Sequence, residues 1–584
     1  MAEIRNPNAS APGSGGGDMR SMLIFTLLAL GALMAFQYFK PPVPPSASSP
    51  SSTSATAQTT AQPTASVPVS SASVQAAAES TTTVENDLYR ITFTNRGAQV
   101  KSWILKKYKD SHGHPLDMVN QAAAARFGFP LSLYTYEPQL TAQLNSALYQ
   151  PSVTGQVAAP TGIVFRYAAG PLTVTKTFLF NESYVIDVKV DVERSGQQVR
   201  ALVTWPSGLG DLEEAAQYNY TKFAFSSDDK RDTTVAKKIS GGATLNQPFD
   251  YAGPIDLYFG ATFLPADPAD ATVVTLHGAM QVPRDETNPK GAQLTEPVLG
   301  AAIGDQNGPT HTRLFAGPLQ YDVLGSIHTS AADGKAVGEN LRPLIQYGWF
   351  KVIAEPLFLL LRFVHDHLIP NWGWSIIVVT LFFNLLMLPT RFTMMKSSLK
   401  MQRVQPKLDA IKRKYANIKA TDPRRNEMNA ETMKLYKEEG VNMYGGCLPL
   451  LVQMPLFFAY YRVLLNSIEL RQATWGWLPN LAAADPLHIL PILIIASMFL
   501  VQFITPSPGM DPAQRRMMAF MMPAIFGFSM WGFASGLALY WATGNLLNIG
   551  LQLGINRSKL GRELNALAAK RAASKGPRTI NARR

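Results

Sequence analysis

Hydrophobic and polar residues follow two different patterns along the 584-residue chain. From about residue 85 to 335, short runs alternate apolar and polar positions, and turn-forming residues separate the runs. The runs at 89–93, 172–178 and 184–190 are examples. A period of two places one face of a strand in a core and the other in solvent. The pattern therefore predicts an all-β sandwich domain at 85–335.

Six apolar stretches have about the length of a membrane-spanning helix. They lie at 21–39, 373–390, 446–465, 488–505, 517–531 and 537–553. The first could also be a cleaved signal peptide, but its length and the lack of a small-residue cleavage site favour an uncleaved signal anchor. Residues 1–20 would then be cytoplasmic, and the Pro/Ser/Thr-rich stretch 40–84 would be a disordered linker. The pattern predicts a multi-domain, polytopic α-helical membrane protein with six transmembrane helices.

A further apolar segment at 341–368 is too short and too charged at its end to span a bilayer. It fits an amphipathic helix lying in the periplasmic interface of the membrane. Trp349, Trp372 and Trp374 would form an aromatic belt beside it.

Charge is concentrated at 391–440, where thirteen Lys and Arg oppose six acidic residues. Strong helix formers interrupted at 417–423 predict a basic helical hairpin. The hairpin is either a solvated helix pair without a partner or a surface for an anionic partner such as RNA phosphate. We expect its apolar positions to pair the two helices: Met394, Leu399, Met401, Val404, Leu408 and Ile411. The candidate basic contacts are Lys412, Arg413, Lys414, Arg424 and Arg425.

The tail at 556–584 carries nine basic residues and one acid. It could bind anionic lipid or nucleic acid, or it could serve only to anchor the last span by the positive-inside rule. The same rule assigns the hairpin, the 506–516 loop and both termini to the cytoplasm, and the β domain to the periplasm.

The hairpin meets the third span at a stretch rich in glycine and proline. Gly445 and Gly446 allow a turn, and Pro449 and Pro455 each remove a backbone donor from the helix that follows. Gln453 adds an uncharged polar group. The stretch is either an ordinary kinked transmembrane helix or a wall shaped for a polar cleft, since freed carbonyls in a bilayer need helices or water as partners.

The last five spans carry no Asp, Glu or Lys at their centres, which counts against ion-coupled transport. Uncharged polar residues and a methionine patch at 517–522 would suit a polypeptide, although the methionines could simply face lipid. Inserting a ~20-residue apolar segment releases about 6–12 kcal/mol, so no nucleotide is needed. A solute transporter or channel, and a membrane-anchored carbohydrate-active enzyme, are the alternatives.

The β domain offers no catalytic motif, and we predict neither an enzyme nor a cofactor. Cys447 is the single cysteine, which excludes an intramolecular disulfide and a multi-cysteine metal site. The closest histidines, His112 and His114, lie in a predicted turn beside Gly113 and Pro115. This position favours surface histidines over metal ligands. No metal is therefore predicted.

Six collinear segments resemble the YidC/Oxa/Alb family of membrane-protein insertases. They are YGW at 347–349, EPLF at 355–358, NWGWSIIVVT at 371–380, GGCLPLLVQMP at 445–455, ELRQA at 469–473 and SGLALY at 535–540. The resemblance implies an inner-membrane insertase and chaperone with a five-helix core around a hydrophilic groove. The groove would open to cytoplasm and lipid and would work without nucleotide hydrolysis, alone or with the Sec translocon. The periplasmic domain would be a β-supersandwich without catalysis, and the hairpin would help receive substrates. The basic charge of the hairpin and tail, rather than the resemblance, predicts a contact with ribosomal RNA phosphate.

The resemblance also assigns residues to the groove. They are Thr380, Asn384, Gln453, Tyr540 and Trp541. Two positions depart from the family pattern. Asn384 stands where the family usually has an arginine, four residues after Thr380, and Trp541 replaces the second of two tyrosines. Arg391, about two helical turns further on, is expected to lie too near the cytoplasmic end to replace that arginine fully.

Overall fold

The chain forms two compact units. The computed structural model describes residues 73–569, apart from 228–229, 236–237, 240, 285–287, 289, 333–334, 416–421, 442–447, 506–511, 560, 564–565 and 567–568. One unit comprises the described residues of Ser66–Glu355 and Arg462–Arg471, and the other comprises those of Pro356–Tyr461 and Gln472–Arg584. The signal anchor at 21–39, Gly445, Gly446 and the end of the tail lie outside the described residues.

The first unit is rich in β-strands. Its strands are β1 Thr81–Glu85, β2 Tyr89–Thr94, β3 Gln99–Lys109, β4 Pro115–Asp117, β5 Leu133–Tyr134, β6 Gln150–Pro151, β7 Gly155–Ala158, β8 Thr161–Ala169, β9 Leu172–Phe180, β10 Val185–Arg194, β11 Gln197–Gln198, β12 Leu202–Trp205, β13 Lys222–Ser227, β14 Lys230–Val235, β15 Thr244–Asn246, β16 Tyr251–Ile255, β17 Phe259–Pro265, β18 Ala271–Pro283, β19 Gln293–Asp305, β20 Thr310–Pro318, β21 His328–Ala332 and β22 Lys335–Asn340. Three short helices accompany them: α1 Gln121–Phe127, α2 Pro138–Ser146 and α3 Tyr321–Ser326.

The strands form three main sheets and one hairpin. The sheet orders are β4-β3-β2-β1-β7, β14-β13-β16-β17-β20-β10-β9-β8-β6 with β11 beside β10, and β15-β18-β19-β12-β5, while β21 pairs with β22. The β1–β7 pair is parallel, and the other strand pairs of the described residues are antiparallel. Antiparallel neighbours joined by short turns are what the alternating runs of the sequence predict.

Aromatic side chains fill the space between the sheets. Phe93 on β2 packs against Phe178 on β9, with ring centroids 5.0 Å apart. Trp103 on β3 packs against Trp205 on β12 at 5.8 Å, and both rings are fully buried. These contacts join the first sheet to each of the other two, so one core is shared by all three.

The predicted β-rich domain is confirmed, with differences at its edges. The runs at 89–93, 172–178 and 184–190 fall in β2, β9 and β10. The linker expected to extend to residue 84 is wrong at its end, because β1 begins at Thr81 and pairs with β2 and β7. The strands also continue past 335 to Asn340, and the three short helices show that the domain is not purely β.

The short segment 462–471 belongs to the β-rich unit. The Arg471 guanidinium lies 3.5 Å from the Asp211 carboxylate, and both side chains are largely buried. Its guanidinium carbon also lies 5.0 and 5.5 Å from the ring centroids of Phe259 and Tyr258. Burial and the adjacent Asp211 raise the pKa of Asp256 well above its ordinary value. A cation held by a carboxylate and two rings fixes this segment against the β-strands.

The C-terminal region is helical. Its helices are α4 Lys351–His367, α5 Trp372–Leu386, α6 Leu388–Lys414, α7 Arg424–Glu438, α8 Leu448–Asn466, α9 Ile489–Ile504, α10 Pro512–Ser529 and α11 Ser535–Arg557. α4 lies within the segment 341–368, and α5, α8, α9, α10 and α11 overlap the apolar stretches after the first.

Within the described part of the chain, no single helix is both long enough and apolar enough to cross a membrane, whereas α5 and α6 together are, with a 45° bend between them. Six transmembrane helices therefore stay a prediction.

The bend changes one expectation about the basic hairpin. α6 continues from α5 after one residue, so the apolar stretch at 373–390 and the first arm of the hairpin are almost continuous. Met395 and Leu399 on α6 pack against Ile555 on α11, whereas Leu399 was expected to contact the second arm of the hairpin. The apolar face of α6 is thus partly used to attach the hairpin to the last helix.

Candidate functional site in the helical unit

A line of polar groups crosses the bend between α5 and α6. The fully buried Thr380 donates its hydroxyl to the Ile376 carbonyl at 2.6 Å. Asn384 donates from Nδ2 to the Thr380 carbonyl at 2.9 Å, which leaves its Oδ1 free to accept from elsewhere. That acceptor is used by Arg391, whose Nη2 lies 3.4 Å from it. The sequence placed Arg391 two turns away, but the bend and its long side chain bring the guanidinium to Asn384.

A second polar contact joins α8 and α11. Gln453 Nε2 lies 3.4 Å from the Tyr540 hydroxyl. Tyr460, about two helical turns further along α8, packs its ring edge-on against Tyr540 at 4.6 Å. The Tyr460 hydroxyl lies near Thr380 without a hydrogen bond of good geometry to it. Tyr460 thus connects the Gln453–Tyr540 pair to the polar groups of α5.

Trp541 is held by aromatic rings. Its ring contacts Phe457 on α8 at 5.1 Å and Phe526 on α10 at 5.7 Å. The predicted groove residues therefore do meet in one region of the helical unit, which we call the polar track: Thr380, Asn384, Arg391, Gln453, Tyr460, Tyr540 and Trp541. Tyr460 was missed from the sequence, and Arg391 was expected to lie too near the cytoplasmic end, because each reaches the track only through the packing of the helices.

Several buried polar atoms in this unit have no protein partner among the described residues. They are Arg391 Nε, Gln402 Oε1, Gln405 Oε1, Tyr460 Oη and Asn548 Oδ1. Each such atom would cost roughly 1–3 kcal/mol if it stayed without a hydrogen bond. Arg391 Nε and Tyr460 Oη belong to the polar track, which is therefore suited to water or to a polar ligand rather than to hydrocarbon.

Other polar residues of the unit bind to one another. Asn545 on α11 donates to the Ser497 hydroxyl on α9 at 3.0 Å, and both side chains are buried. Asn556 donates to the Ile504 carbonyl at 3.1 Å. These bonds fix α11 to α9, so the polar residues of the last helix divide into structural ones and those of the polar track.

The opposite faces of these helices are apolar and exposed. Leu385 on α5 is 63% exposed, Phe503 on α9 is 60% exposed and Phe528 on α10 is 79% exposed. Such large apolar side chains rarely form extended exposed faces on proteins surrounded by water. The helical unit thus combines a buried polar track with an apolar exterior.

The helix-entry stretch is only partly described. Gly445 and Gly446 lie outside the described residues. Pro449 is the second residue of α8, a position where its missing donor costs little, and Pro455 lies inside the helix. Pro455 is two residues from Gln453, so the helix is weakened next to the polar track.

The basic residues of the hairpin differ in their surroundings. Lys414 pairs across the hairpin with Glu431 at 3.1 Å, and Arg424 pairs with Asp422 at 2.8 Å. Lys412 and Arg413 are exposed, and neither forms an ion pair with another described residue. These two side chains are the most available to an anionic partner.

Two family models match the chain. Residues 81–360 match a model described as the YidC periplasmic domain, and residues 363–562 match one described as the 60Kd inner membrane protein. The boundary between the matches falls close to the boundary between the two compact units. The architecture is therefore that of an inner-membrane protein with a β-rich periplasmic domain.

The sequences of several relatives align with most of this chain. A membrane protein insertase YidC of Ralstonia nicotianae is 31% identical over 521 residues, which cover 86% of this chain and 88% of the relative. One of Geobacter sulfurreducens is 32% identical over 484 residues, covering 80% and 85%. A solved structure of active YidC insertase is 18% identical, covers 81% of this chain and 94% of that one, and has a TM-score of 0.32. The chain belongs to the YidC family of membrane protein insertases. The name of these relatives describes insertion rather than a catalysed reaction.

Proposed function

We propose that this protein inserts and folds inner-membrane proteins by exposing them to the polar track while their apolar segments enter lipid. The observation that carries the proposal is the continuous polar track between apolar outer faces. Polar flanks of a client would exchange hydrogen bonds with Asn384, Arg391 and Gln453, and its apolar segment would contact the exposed faces of α9 and α10.

Arg391 gives the track its positive charge. Its guanidinium is half-buried, bonds to Asn384 through Nη2 and keeps Nε without a protein partner among the described residues. An acidic or carbonyl-rich flank could use that remaining donor. We therefore infer that Asn384 and Arg391 together take the role that the family resemblance gives to a single arginine.

The energy for insertion would come from the client itself. A ~20-residue apolar segment gains about 6–12 kcal/mol on entering a bilayer, and the barrier lies in carrying its polar flanks across. A hydrated polar track lowers that barrier without nucleotide hydrolysis. The family resemblance supports insertion of clients both by this protein alone and together with the Sec translocon.

The contacts proposed on the cytoplasmic side of the membrane depend on the positive charge of the hairpin and tail. The hairpin and tail would face the cytoplasm with both termini, and the β-rich domain would face the periplasm. The exposed Lys412 and Arg413 would contact ribosomal RNA phosphate or anionic lipid. Truncation after Gly561 is expected to reduce ribosome co-sedimentation at low salt, and unchanged co-sedimentation would contradict this part.

Site-specific photo-crosslinking tests the polar track. A photoreactive residue at Asn384 or Trp541 should capture a nascent single-span membrane protein during synthesis. The matched controls are Leu385 and Leu546, which lie one and five residues away on the same helices with 63% and 49% exposure. They are expected to capture mainly lipid.

Capture of the nascent chain only at Leu385 and Leu546 would place the client path outside the polar track.

Purified protein in liposomes gives an independent measurement, since it should insert a small single-span substrate without nucleotide. Ion conduction without insertion would favour a channel instead.

A further inference from the structure

The turn between β3 and β4 meets a distant loop of the β-rich unit in a cluster of metal-binding side chains. Asp110, His112 and Glu213 each offer one ligand atom, and these atoms all lie within 4.8 Å of one another. We propose that this cluster binds a divalent transition-metal ion such as Zn²⁺.

The turn is built so that Asp110 is fixed. Its Oδ1 accepts the backbone N–H groups of His112 at 3.0 Å and of His114 at 2.8 Å. Its own backbone N–H donates to the His114 carbonyl at 2.9 Å, and Gly113 supplies the positive φ of 84° that closes the turn. Both histidines are therefore carried by a backbone whose shape does not depend on metal.

Glu213 comes from a loop 102 residues further along the chain. The Ser111 hydroxyl bonds to its Oε2, and the Ser111 backbone N–H lies 3.5 Å from its Oε1. These contacts hold the Glu213 carboxylate over the turn, with Oε2 3.8 Å from His112 Nδ1. A carboxylate and an imidazole from separate segments thus face the same point.

His114 lies outside the group of three and supplies a fourth donor when its exposed side chain turns toward them. Its Nδ1 lies 3.4 Å from Asp110 Oδ2, and its ring stacks against that of His112 with centroids 6.4 Å apart. Ligand atoms around a tetrahedral zinc ion at about 2.0–2.2 Å are roughly 3.3 Å from each other, so Asp110, His112 and Glu213, whose ligand atoms lie within 4.8 Å of one another, need to move closer by at most about 1.5 Å. The exposed histidine side chains can make such movements without disturbing the core.

The donor set indicates the kind of ion. Two imidazoles and two carboxylates suit Zn²⁺, Ni²⁺ or Cu²⁺, whereas Ca²⁺ and Mg²⁺ prefer sites made of oxygen alone. The two carboxylate charges would balance a divalent ion. The site lies in the part of the chain that matches the YidC periplasmic domain.

Calorimetric titration with Zn²⁺ tests the proposal. Full-length protein without a histidine tag is stripped with a chelator and titrated in detergent. We expect one zinc equivalent per chain, with at least about tenfold weaker binding in His112→Asn and in Glu213→Gln. Loss of a residue that only supports a metal ligand already weakens metal binding by this factor, and loss of the ligand itself should weaken it at least as much. His277→Asn, an exposed histidine on β18 outside the cluster, is the matched control and should bind like the wild type.

Cobalt provides a second measurement that does not depend on heat signals. Co²⁺ bound to this donor set should give visible absorption bands that His112→Asn removes and His277→Asn keeps. Absence of binding by the wild type, or equal binding by His112→Asn, would overturn the proposal. Preference for Ca²⁺ or Mg²⁺ over Zn²⁺ would overturn it as well.

Discussion

At the scale of single residues, Arg391 shows how a side chain can supply a charge at a position that the sequence leaves neutral. Asn384 lacks the charge that the family resemblance leads one to expect, but its Oδ1 accepts a hydrogen bond from Arg391 Nη2 at 3.4 Å. The guanidinium comes from beyond the bend between α5 and α6 and is half-buried. The positive charge beside Asn384 is thus supplied by Arg391, through the hydrogen bond between the two side chains.

Replacing Arg391 by Gln should lower the rate of client insertion. A weak charge-assisted hydrogen bond and one cationic donor are lost, which together are worth about 1 kcal/mol, or roughly a fivefold effect. The rate is measured with a single-span substrate in liposomes. Lys396→Gln, an exposed cation on the same helix, should leave it unchanged.

The double variant Asn384→Ala with Arg391→Gln extends this test. If the two residues act as a pair, the double variant is no slower than Arg391→Gln alone. Additive losses would show that Asn384 and Arg391 act independently.

Lys176 plays a structural role inside the β-rich unit. Its fully buried Nζ donates to the carbonyls of Gly97, Ala98 and Leu131 at 2.8, 3.0 and 2.7 Å. Ala98 and Leu131 have positive φ angles of 46° and 63°, so the lysine holds backbone in a conformation that non-glycine residues rarely adopt. Lys176→Met should destabilise the unit by at least about 3 kcal/mol, because three carbonyls lose their donor.

The stability conferred by Lys176 should depend on pH. Burial lowers the pKa of Lys176 to about 7 from 10.5. Between these values the unfolded chain binds one proton more than the folded chain, so stability rises with pH by at most about 1.4 kcal/mol per unit above pH 7. Pulse proteolysis in urea should therefore show the wild type gaining stability from pH 7 to 9 relative to Lys176→Met. Lys189→Met, an exposed position on β10, should follow the wild type.

At the scale of elements, close helix contacts depend on single glycines. A Cβ added at Gly527 on α10 would lie 1.9 Å from Ile495 Cγ1 on α9. These two helices can approach one another only because that side chain is missing.

Gly527→Ala should therefore destabilise the helical unit. Overpacking of this kind costs about 1–3 kcal/mol, which should lower the Tm of the full-length protein in detergent. Gly550→Ala is the control, because nothing lies within 4 Å of a Cβ added there. A Tm for Gly527→Ala equal to that of Gly550→Ala would show that α9 and α10 are not this closely packed.

At the scale of the whole molecule, the β-rich unit has a core of its own. Trp103, Trp205 and the rings around Phe93 and Phe178 are buried among its sheets, and the polar track is built from the other unit alone. Nothing in the geometry of the track uses a residue of the β-strands.

Deletion of residues 81–340 should therefore leave insertion close to the wild-type level. Arg471 loses Asp211 and the two rings but can be solvated as an ordinary surface arginine. Reconstituted insertion of the single-span substrate is the measurement. A loss as large as that of a chain lacking α5 would show that the β-rich unit takes part in insertion.

The sequence by itself determined the elements, because their signals are local. Alternation with a period of two predicted β2, β9 and β10, and apolar stretches predicted α5 and α8 to α11. The family motifs predicted which family the chain belongs to. Where local signals were weak, as at Thr81 in a Thr-rich run, the strand was assigned to the linker, since β1 is stabilised by its partners β2 and β7 rather than by its own composition.

Only the tertiary structure decided which side chains meet. Arg391 reaches Asn384 because a 45° bend separates their helices, and Tyr460 reaches Tyr540 because α8 packs beside α11. Likewise Glu213 lies 3.8 Å from His112 although 101 residues separate them in the chain, so the two histidines are exposed as predicted but have a carboxylate neighbour that the sequence did not reveal. Contacts between distant residues depend on packing directions and loop paths, which leave no periodic trace in the sequence.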